Sequence, residues 1–210
     1  MSKTVTEELV ASVIEKIRSR SVPIGISNRH VHLSEGDYNA LFPDEDISQG
    51  KALYQPGHYA AEQTVDIVGP KSSIRNVRIL GPLRKQSQVE ISATNARELG
   101  VKAPVRISGA LENTPGIKLV SRNGEVDLFE GVIIAQRHIH MSPFDASIFN
   151  FTNNQYVSVL VGTEPRRVVL KDVSIRIDPS TKLELHLDTD EANCAGLTGC
   201  GDFADIIFEV

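Results

Sequence analysis

A seven-residue motif occurs twice in this chain: Asn28-Arg-His-Val-His-Leu-Ser34 returns as Gln136-Arg-His-Ile-His-Met-Ser142, 108 positions later. Each copy follows a short β-type run, Val22 to Ile26 and Val132 to Ala135, and precedes a polar stretch compatible with a helix. Further on, Val89-Glu-Ile-Ser-Ala-Thr-Asn-Ala96 corresponds to Leu185-His-Leu-Asp-Thr-Asp-Glu-Ala192 at an offset of 96, which sets Glu90 against His186. Duplication is the economical source of two landmarks recurring in the same order. A chain built this way folds as two like units, the first carrying about twelve extra residues between its landmarks.

Between the landmarks run short β-branched segments: Thr64 to Val68, Val77 to Leu80, Val105 to Ser108, Val157 to Val161, Arg167 to Leu170, Val173 to Ile177 and Ile206 to Val210. Gly69-Pro70, Gly81-Pro82, Asn123-Gly124 and Asp178-Pro179 punctuate them as turns. The pattern predicts a mainly β fold of two repeated closed β-barrel domains, with short helices only at Ser34 to Phe42 and Pro143 to Asn150. Residues 21–115 would form the first barrel and 116–210 the second, an exchange of terminal strands between the halves being compatible with the pattern. Ahead of them, Leu9, Val10, Val13, Ile14 and Ile17 fall on one face of an amphipathic helix, and Pro23 follows shortly after. Residues 1–20 therefore read as a helical extension, either packed on its own domain or docked in a groove of another protein.

Composition removes several function classes. The 22 Lys and Arg against 27 Asp and Glu leave a formal charge of −5, without the basic surface that nucleic acid requires. Apolar runs such as Gly131 to Ala135 are far too short to span a bilayer. The expected partner is a small molecule or another protein, with no nucleic acid and no membrane. Cys194 and Cys200, spaced C-x5-C, make neither a disulfide framework nor a usual zinc pair. They read as buried small apolar residues in a reducing, cytoplasmic setting.

Four of the six histidines form the two His-x-His pairs, whereas composition alone yields roughly 0.2 such pairs. In an extended segment the period of two points His30 and His32 to one side, and likewise His138 and His140. Two imidazoles placed this way can bite one cation. The repeat supplies a third ligand in the same place twice, giving His30, His32 and Glu90 in one half and His138, His140 and His186 in the other. Each set leaves a coordination position open for water or substrate, and zinc is the ion best suited to a set of two imidazoles with a carboxylate or of three imidazoles. His58, in Gly57-His-Tyr, has no counterpart and reads as structural or surface.

Lys71, Arg75, Arg78, Arg84 and Lys85 crowd one stretch of an acidic chain, as a solvated face or as an anion-binding wall. Arg84 stands six residues before Glu90, where a forked guanidinium near the first cation could grip a phosphate. No serine elbow or Gly-rich phosphate loop is present in the sequence, so covalent catalysis is not suggested.

The paired Arg-His-x-His motifs, Gly81-Pro82-Leu83-Arg84 ahead of Gln88-Val89-Glu90-Ile91-Ser92, and Leu185-His186-Leu187-Asp188-Thr189-Asp190-Glu191-Ala192-Asn193 resemble the PduL phosphotransacylase family, phosphate propanoyltransferases of propanediol-utilising bacterial microcompartments. The resemblance runs from about Val22 to the C-terminus. It implies two closed β-barrels with a dizinc site, two Zn2+ per chain with Co2+ or Mn2+ as substitutes, and coenzyme A as substrate and product. The implied reaction converts propanoyl-CoA and phosphate reversibly to propanoyl phosphate and CoA, by direct attack of metal-bound phosphate on the thioester. Arg84 would hold the phosphate, and Ile26, Ser27, Asn28, Lys71, Arg78 and Asn193 would line the coenzyme A site. Residues 1–20 resemble peptides that direct enzymes into a shell lumen. The implied partners are thus microcompartment shell or lumen proteins, inside a bacterial microcompartment of the cytoplasm, with a homo-oligomer left open. Two other classes fit the residues: a dizinc hydrolase of thioesters or phosphoesters, and a zinc-stabilised module without chemistry, which open ligand positions oppose.

Overall fold

The protein is described by a computed structural model covering residues 6, 8–10, 12–13, 21–199 and 201–208. The helix expected over residues 1–20 falls for the most part outside these residues, as do Cys200 and the last two positions of the expected C-terminal strand. The fold is mainly β, and the chain divides into two units. One contains residues 27–136 and 188–190; the other contains residues up to Ile26, Arg137–Leu187 and residues from Glu191 onward.

The second of these units is a closed barrel in the order β1-β14-β11-β13-β12-β15. Its strands are β1 (Val22–Ser27), β11 (His138–Met141), β12 (Tyr156–Val161), β13 (Val168–Ile177), β14 (Glu184–Asp188) and β15 (Phe203–Ile207). Closure comes where β15 meets β1 antiparallel, Val22 opposite Ala204. Alternation sends Ile139, Met141, Val159, Val161, Val173, Ile175, Leu185 and Leu187 inward, all nearly inaccessible to solvent.

The other unit is a nine-stranded sheet in the order β7-β10-β6-β2-β5-β4-β8-β9, with β3 paired to β4. Its strands are β2 (His30–His32), β3 (Gln49–Ala52), β4 (Tyr59–Val68), β5 (Ser73–Gly81), β6 (Gln88–Glu90), β7 (Val105–Arg106), β8 (Ile117–Val120), β9 (Glu125–Leu128) and β10 (Val132–Ala135). The run β10-β6-β2-β5-β4-β8 repeats the barrel order strand for strand. Even the irregularities recur. Asn76 in β5 and Asp172 in β13, 96 positions apart, both have positive φ (55° each) where the partner strand shifts register. Asn and Asp tolerate that left-handed conformation better than other side chains.

The expectation of two closed barrels is corrected here: among the described residues only one sheet closes. In the open sheet the strand next to the gap, β8, follows Pro115, which has no N–H to donate. One backbone bond, from Val132 N–H to the Pro115 carbonyl (3.0 Å), crosses where a ladder would run. The free edges are instead occupied by β7, beside β10, and β9, beside β8.

The expectation of only two short helices is likewise revised. Helices α1 (Glu35–Leu41), α2 (Ala93–Leu99), α3 (Pro143–Phe149) and α4 (Thr189–Ala195) follow the four landmark segments in turn. Ser34, Ser92 and Ser142 cap the first three, each hydroxyl accepting the backbone N–H three residues on. The serine that ends both motifs is therefore a helix start. The segments Arg167 to Leu170 and Val173 to Ile177 join in the single strand β13, with Asp172 at the bend. Cys194 is exposed on α4, contrary to the buried role expected of it.

Ile139 is completely buried between the two histidines of β11, whereas Phe129 is 97% exposed. Ile139→Ala should cost about 2–5 kcal/mol of stability in urea unfolding, and Phe129→Ala less than about 0.5 kcal/mol. Equal midpoints for the two variants would refute this account of the barrel core.

Candidate metal centres

The motif strand of each unit lies antiparallel to the strand carrying the third ligand, and the registers agree. His30 stands opposite Glu90 across β2 and β6. His138 stands opposite His186 across β11 and β14. A shift of one residue would turn either third ligand to the opposite face. Between the histidines, Val31 and Ile139 point into the two cores and are fully buried, so packing fixes which face the imidazoles occupy.

In the first trio, the ligand atoms of His30, His32 and Glu90 all lie within 4.8 Å of one another. The Nε2 atoms of His30 and His32 face the carboxylate at 3.5 and 3.7 Å. The Nδ1 atoms are directed elsewhere: His30 Nδ1 lies 2.8 Å from the Asn28 carbonyl, and His32 Nδ1 lies 3.2 Å from the Leu80 carbonyl. An imidazole whose Nδ1–H is held by a carbonyl keeps its Nε2 lone pair for a cation.

Burial and charge set the protonation of this cluster when it is metal-free. Burial opposes ionisation of Glu90, but His30, His32 and Arg84 outweigh it and hold the carboxyl well below the usual range. Burial lowers the pKa of His32 to about 3, helped by repulsion from His30. Burial also presses His30 down, yet attraction and hydrogen bonding to Glu90 prevail and raise it.

The second trio is built from imidazoles alone. His138, His140 and His186 again have ligand atoms within 4.8 Å of one another. The Nε2 atoms of His138 and His140 are 3.0 Å apart. The three rings meet at centroid separations of 4.6 to 5.0 Å. His138 is buried, and His140 and His186 are partly so. Convergent nitrogen donors of this kind, and an ionised carboxylate among two imidazoles, fit a divalent ion of the zinc class by donor chemistry.

Arg84 belongs to the first trio's surroundings. Its backbone N–H donates to the Leu33 carbonyl at 2.8 Å, which ties it to the chain immediately after the motif. Its Nη1 donates to Ser108 Oγ at 3.1 Å, and Ser108 Oγ donates in turn to Glu90 Oε1 at 3.0 Å. The remaining residues considered for coenzyme A are more dispersed. Ile26 and Ser27 end β1, and the Asn28 carbonyl backs His30. Lys71 is exposed, its stem against Gly100. Arg78 directs Nη1 to the Ala61 and Glu62 carbonyls, both at 2.9 Å, and Asn193 lies exposed on α4. His58 is on the surface.

Three side chains around the trios escape a reading of the sequence. Gln88 is buried and donates through Nε2 to Glu90 Oε1 and to Ser108 Oγ (2.8 Å), while its Oε1 accepts the Gly109 N–H at 2.7 Å. Ser108 is the second, linking Arg84 to Glu90. Glu184, also buried, lies 2.7 Å through Oε2 from His186 Nε2. The available signal is the spacing itself: Gln88 and Glu184 each stand two residues before a third ligand, hence on the same strand face.

A family model described as phosphate propanoyltransferase matches residues 23–198. Among curated proteins, phosphate propanoyltransferases of Citrobacter koseri and Salmonella typhimurium are each 53% identical over 207 residues, 99% of both chains in each comparison. One from Shewanella putrefaciens is 51% identical over 199 residues, 95% of this chain and 94% of its own.

In the metal-free protein, replacing Glu90 by Gln removes the attraction that raises His30 and leaves burial, the largest influence, and Arg84 acting downward against the hydrogen bond to the Asn28 carbonyl alone. The His30 pKa should then fall below 6.5, its ordinary value, in an NMR titration of the imidazole ring. A His30 that still titrates above that value in Glu90→Gln contradicts the assigned electrostatics.

Proposed function

The chain belongs to the phosphate propanoyltransferase family, an acyltransferase family, and from that premise we propose that its two ligand trios each hold one zinc ion and serve transfer of a propanoyl group between coenzyme A and phosphate. The observation that carries the reading is the doubled register, His30 opposite Glu90 and His138 opposite His186, with the first pair's outward nitrogens held by backbone carbonyls. A divalent cation bound at these trios supplies Lewis-acid charge for a phosphate oxygen and a thioester carbonyl.

The protein's own residues do the remaining work. Arg84 is half-buried and permanently charged, and Ser108 holds it beside the first trio. A guanidinium fixed there grips a phosphate bidentately and offsets its charge as the transition state forms. A phosphate oxygen attacks the thioester carbon, the C–S bond breaks, and coenzyme A leaves as its thiolate, with no acyl-enzyme. Ile26, Ser27, Asn28, Lys71, Arg78 and Asn193 are the proposed coenzyme A contacts. Lys71 and Arg78 supply positive charge for its remote phosphates, converting distant binding energy into orientation. Cobalt or manganese would substitute for zinc by the same donor chemistry.

Residues 1–20 are the proposed contact with microcompartment shell or lumen proteins. Leu9, Val10 and Val13 are exposed, with relative accessibilities of 65%, 51% and 47%, which suits an apolar stripe awaiting a partner. No helix among the described residues is long and apolar enough to cross a membrane.

Turnover of propanoyl-CoA should require phosphate and be abolished by a chelator, then restored by zinc. Coenzyme A release that proceeds at the same rate without phosphate would mark a hydrolase instead. Arg84→Ala should lower kcat by about 10²–10³-fold while zinc content by elemental analysis stays unchanged. A near-normal rate in that variant removes Arg84 from the reaction.

A further inference from the structure

The two third ligands have partners that the repeat places in equivalent positions but makes of opposite polarity. On β6, Gln88 donates an amide N–H to the Glu90 carboxylate. On β14, Glu184 offers a carboxylate oxygen to the His186 ring. Both partners stand two residues before the ligand and pair across the sheet with the second motif histidine, Gln88 with His32 and Glu184 with His140. An acceptor ligand thus has a donor behind it, and a ligand with a ring N–H has an acceptor.

Glu184 has a relative accessibility of only 8%, and burying a carboxylate costs free energy unless something pairs with it. The barrel makes room for it at a definite place. A Cβ on Gly25 of β1 would lie 2.6 Å from Glu184 Oε1 and 3.3 Å from His186 Cδ2, so the strand beside β14 carries the one residue type without a side chain. Glu184 is also outside the cluster of His138, His140 and His186 whose ligand atoms share a 4.8 Å neighbourhood. An acceptor behind His186 fixes which ring nitrogen is left toward the trio, as the backbone carbonyls do for His30 and His32.

We propose that Glu184 is the positioning residue of the second trio: it accepts the Nε2–H of His186, fixes the ring, and leaves Nδ1 as the nitrogen that faces a bound cation. The assignment rests on the reading of the trios as metal centres. Outer-shell carboxylates of this kind change metal affinity by about 10- to 100-fold when removed.

The test uses the full chain with His30→Ala and His32→Ala, so that only the second trio remains, stripped of metal and titrated with zinc against a chromophoric chelator. Glu184→Ala should weaken zinc binding by about 10- to 100-fold. Glu184→Gln keeps an oxygen acceptor and should recover most of that loss. Gly25→Ala, which crowds Glu184 without altering it, should weaken zinc in the same direction as Glu184→Ala. Cobalt loaded in place of zinc gives a second readout: its visible absorption should change shape in Glu184→Ala and return in Glu184→Gln. Unchanged zinc affinity in Glu184→Ala overturns the positioning role alone, as does a Glu184→Gln chain as weak as Glu184→Ala, which would make Glu184 a direct ligand or a pure charge. Should Glu184→Ala fail to fold, Glu184→Gln and Gly25→Ala decide the matter by the same criteria. A chain with Glu184 intact that takes up neither zinc nor cobalt overturns this inference and the metal-centre reading together.

Discussion

Two antiparallel strand pairings, β2 with β6 and β11 with β14, determine what this chain can do. Each brings a His-x-His segment against a single third side chain at a register where all three share one face. Strand geometry makes this an all-or-none constraint, because side chains alternate with a period of two and any odd slip reverses every one of them. The apolar residues between the histidines enforce the register. Val31 and Ile139 cannot leave their cores without exposing a β-branched side chain, so the hydrophobic effect that folds each unit also aims its imidazoles.

The same constraint explains how much of each unit the duplication preserved. The motif strand has one antiparallel and one parallel neighbour in both units, and the order of six strands is common to both. The ends of the sheets are where the copies differ. The strand ahead of each motif pairs within the other unit, β1 beside β14 and β15, and β10 beside β6 and β7. One sheet then closes on β15, while in the other the corresponding edges are taken by β7 and β9. Closure is therefore free to vary, and the ligand registers are not.

Much of this is legible in the residues. Alternating β-branched runs between Gly-Pro turns announce a mainly β fold, and the paired motifs with the aligned Glu90 and His186 announce the two candidate trios that the structure brings within 4.8 Å. Helices α2 and α4 are less visible. They are one turn or two in length, and their start signal, Ser92 in one case, lies among polar residues with no long apolar period. The open sheet is invisible because it depends on which edges β7 and β9 occupy, which is set by tertiary pairing. Cys194 departs from expectation because its residue type favours burial, whereas the face of α4 toward the core is supplied by Ala192 and Ala195.

The residues that back the ligands are hidden for a different reason. Gln88, Ser108 and Glu184 have no chemistry of their own to announce, and Ser108 reaches the first trio through a loop 18 positions from Glu90. What identifies them is hydrogen-bond accounting. An ionised Glu90 requires a donor behind it, which Gln88 supplies, and Glu184 stands in the equivalent place against the His186 ring. The two backing positions are unequally constrained, because the first must donate and the second needs only an oxygen that accepts, from a carboxylate or an amide. A carboxylate at the position of Gln88 would set two negative charges against each other beside a Glu90 side chain only 12% exposed.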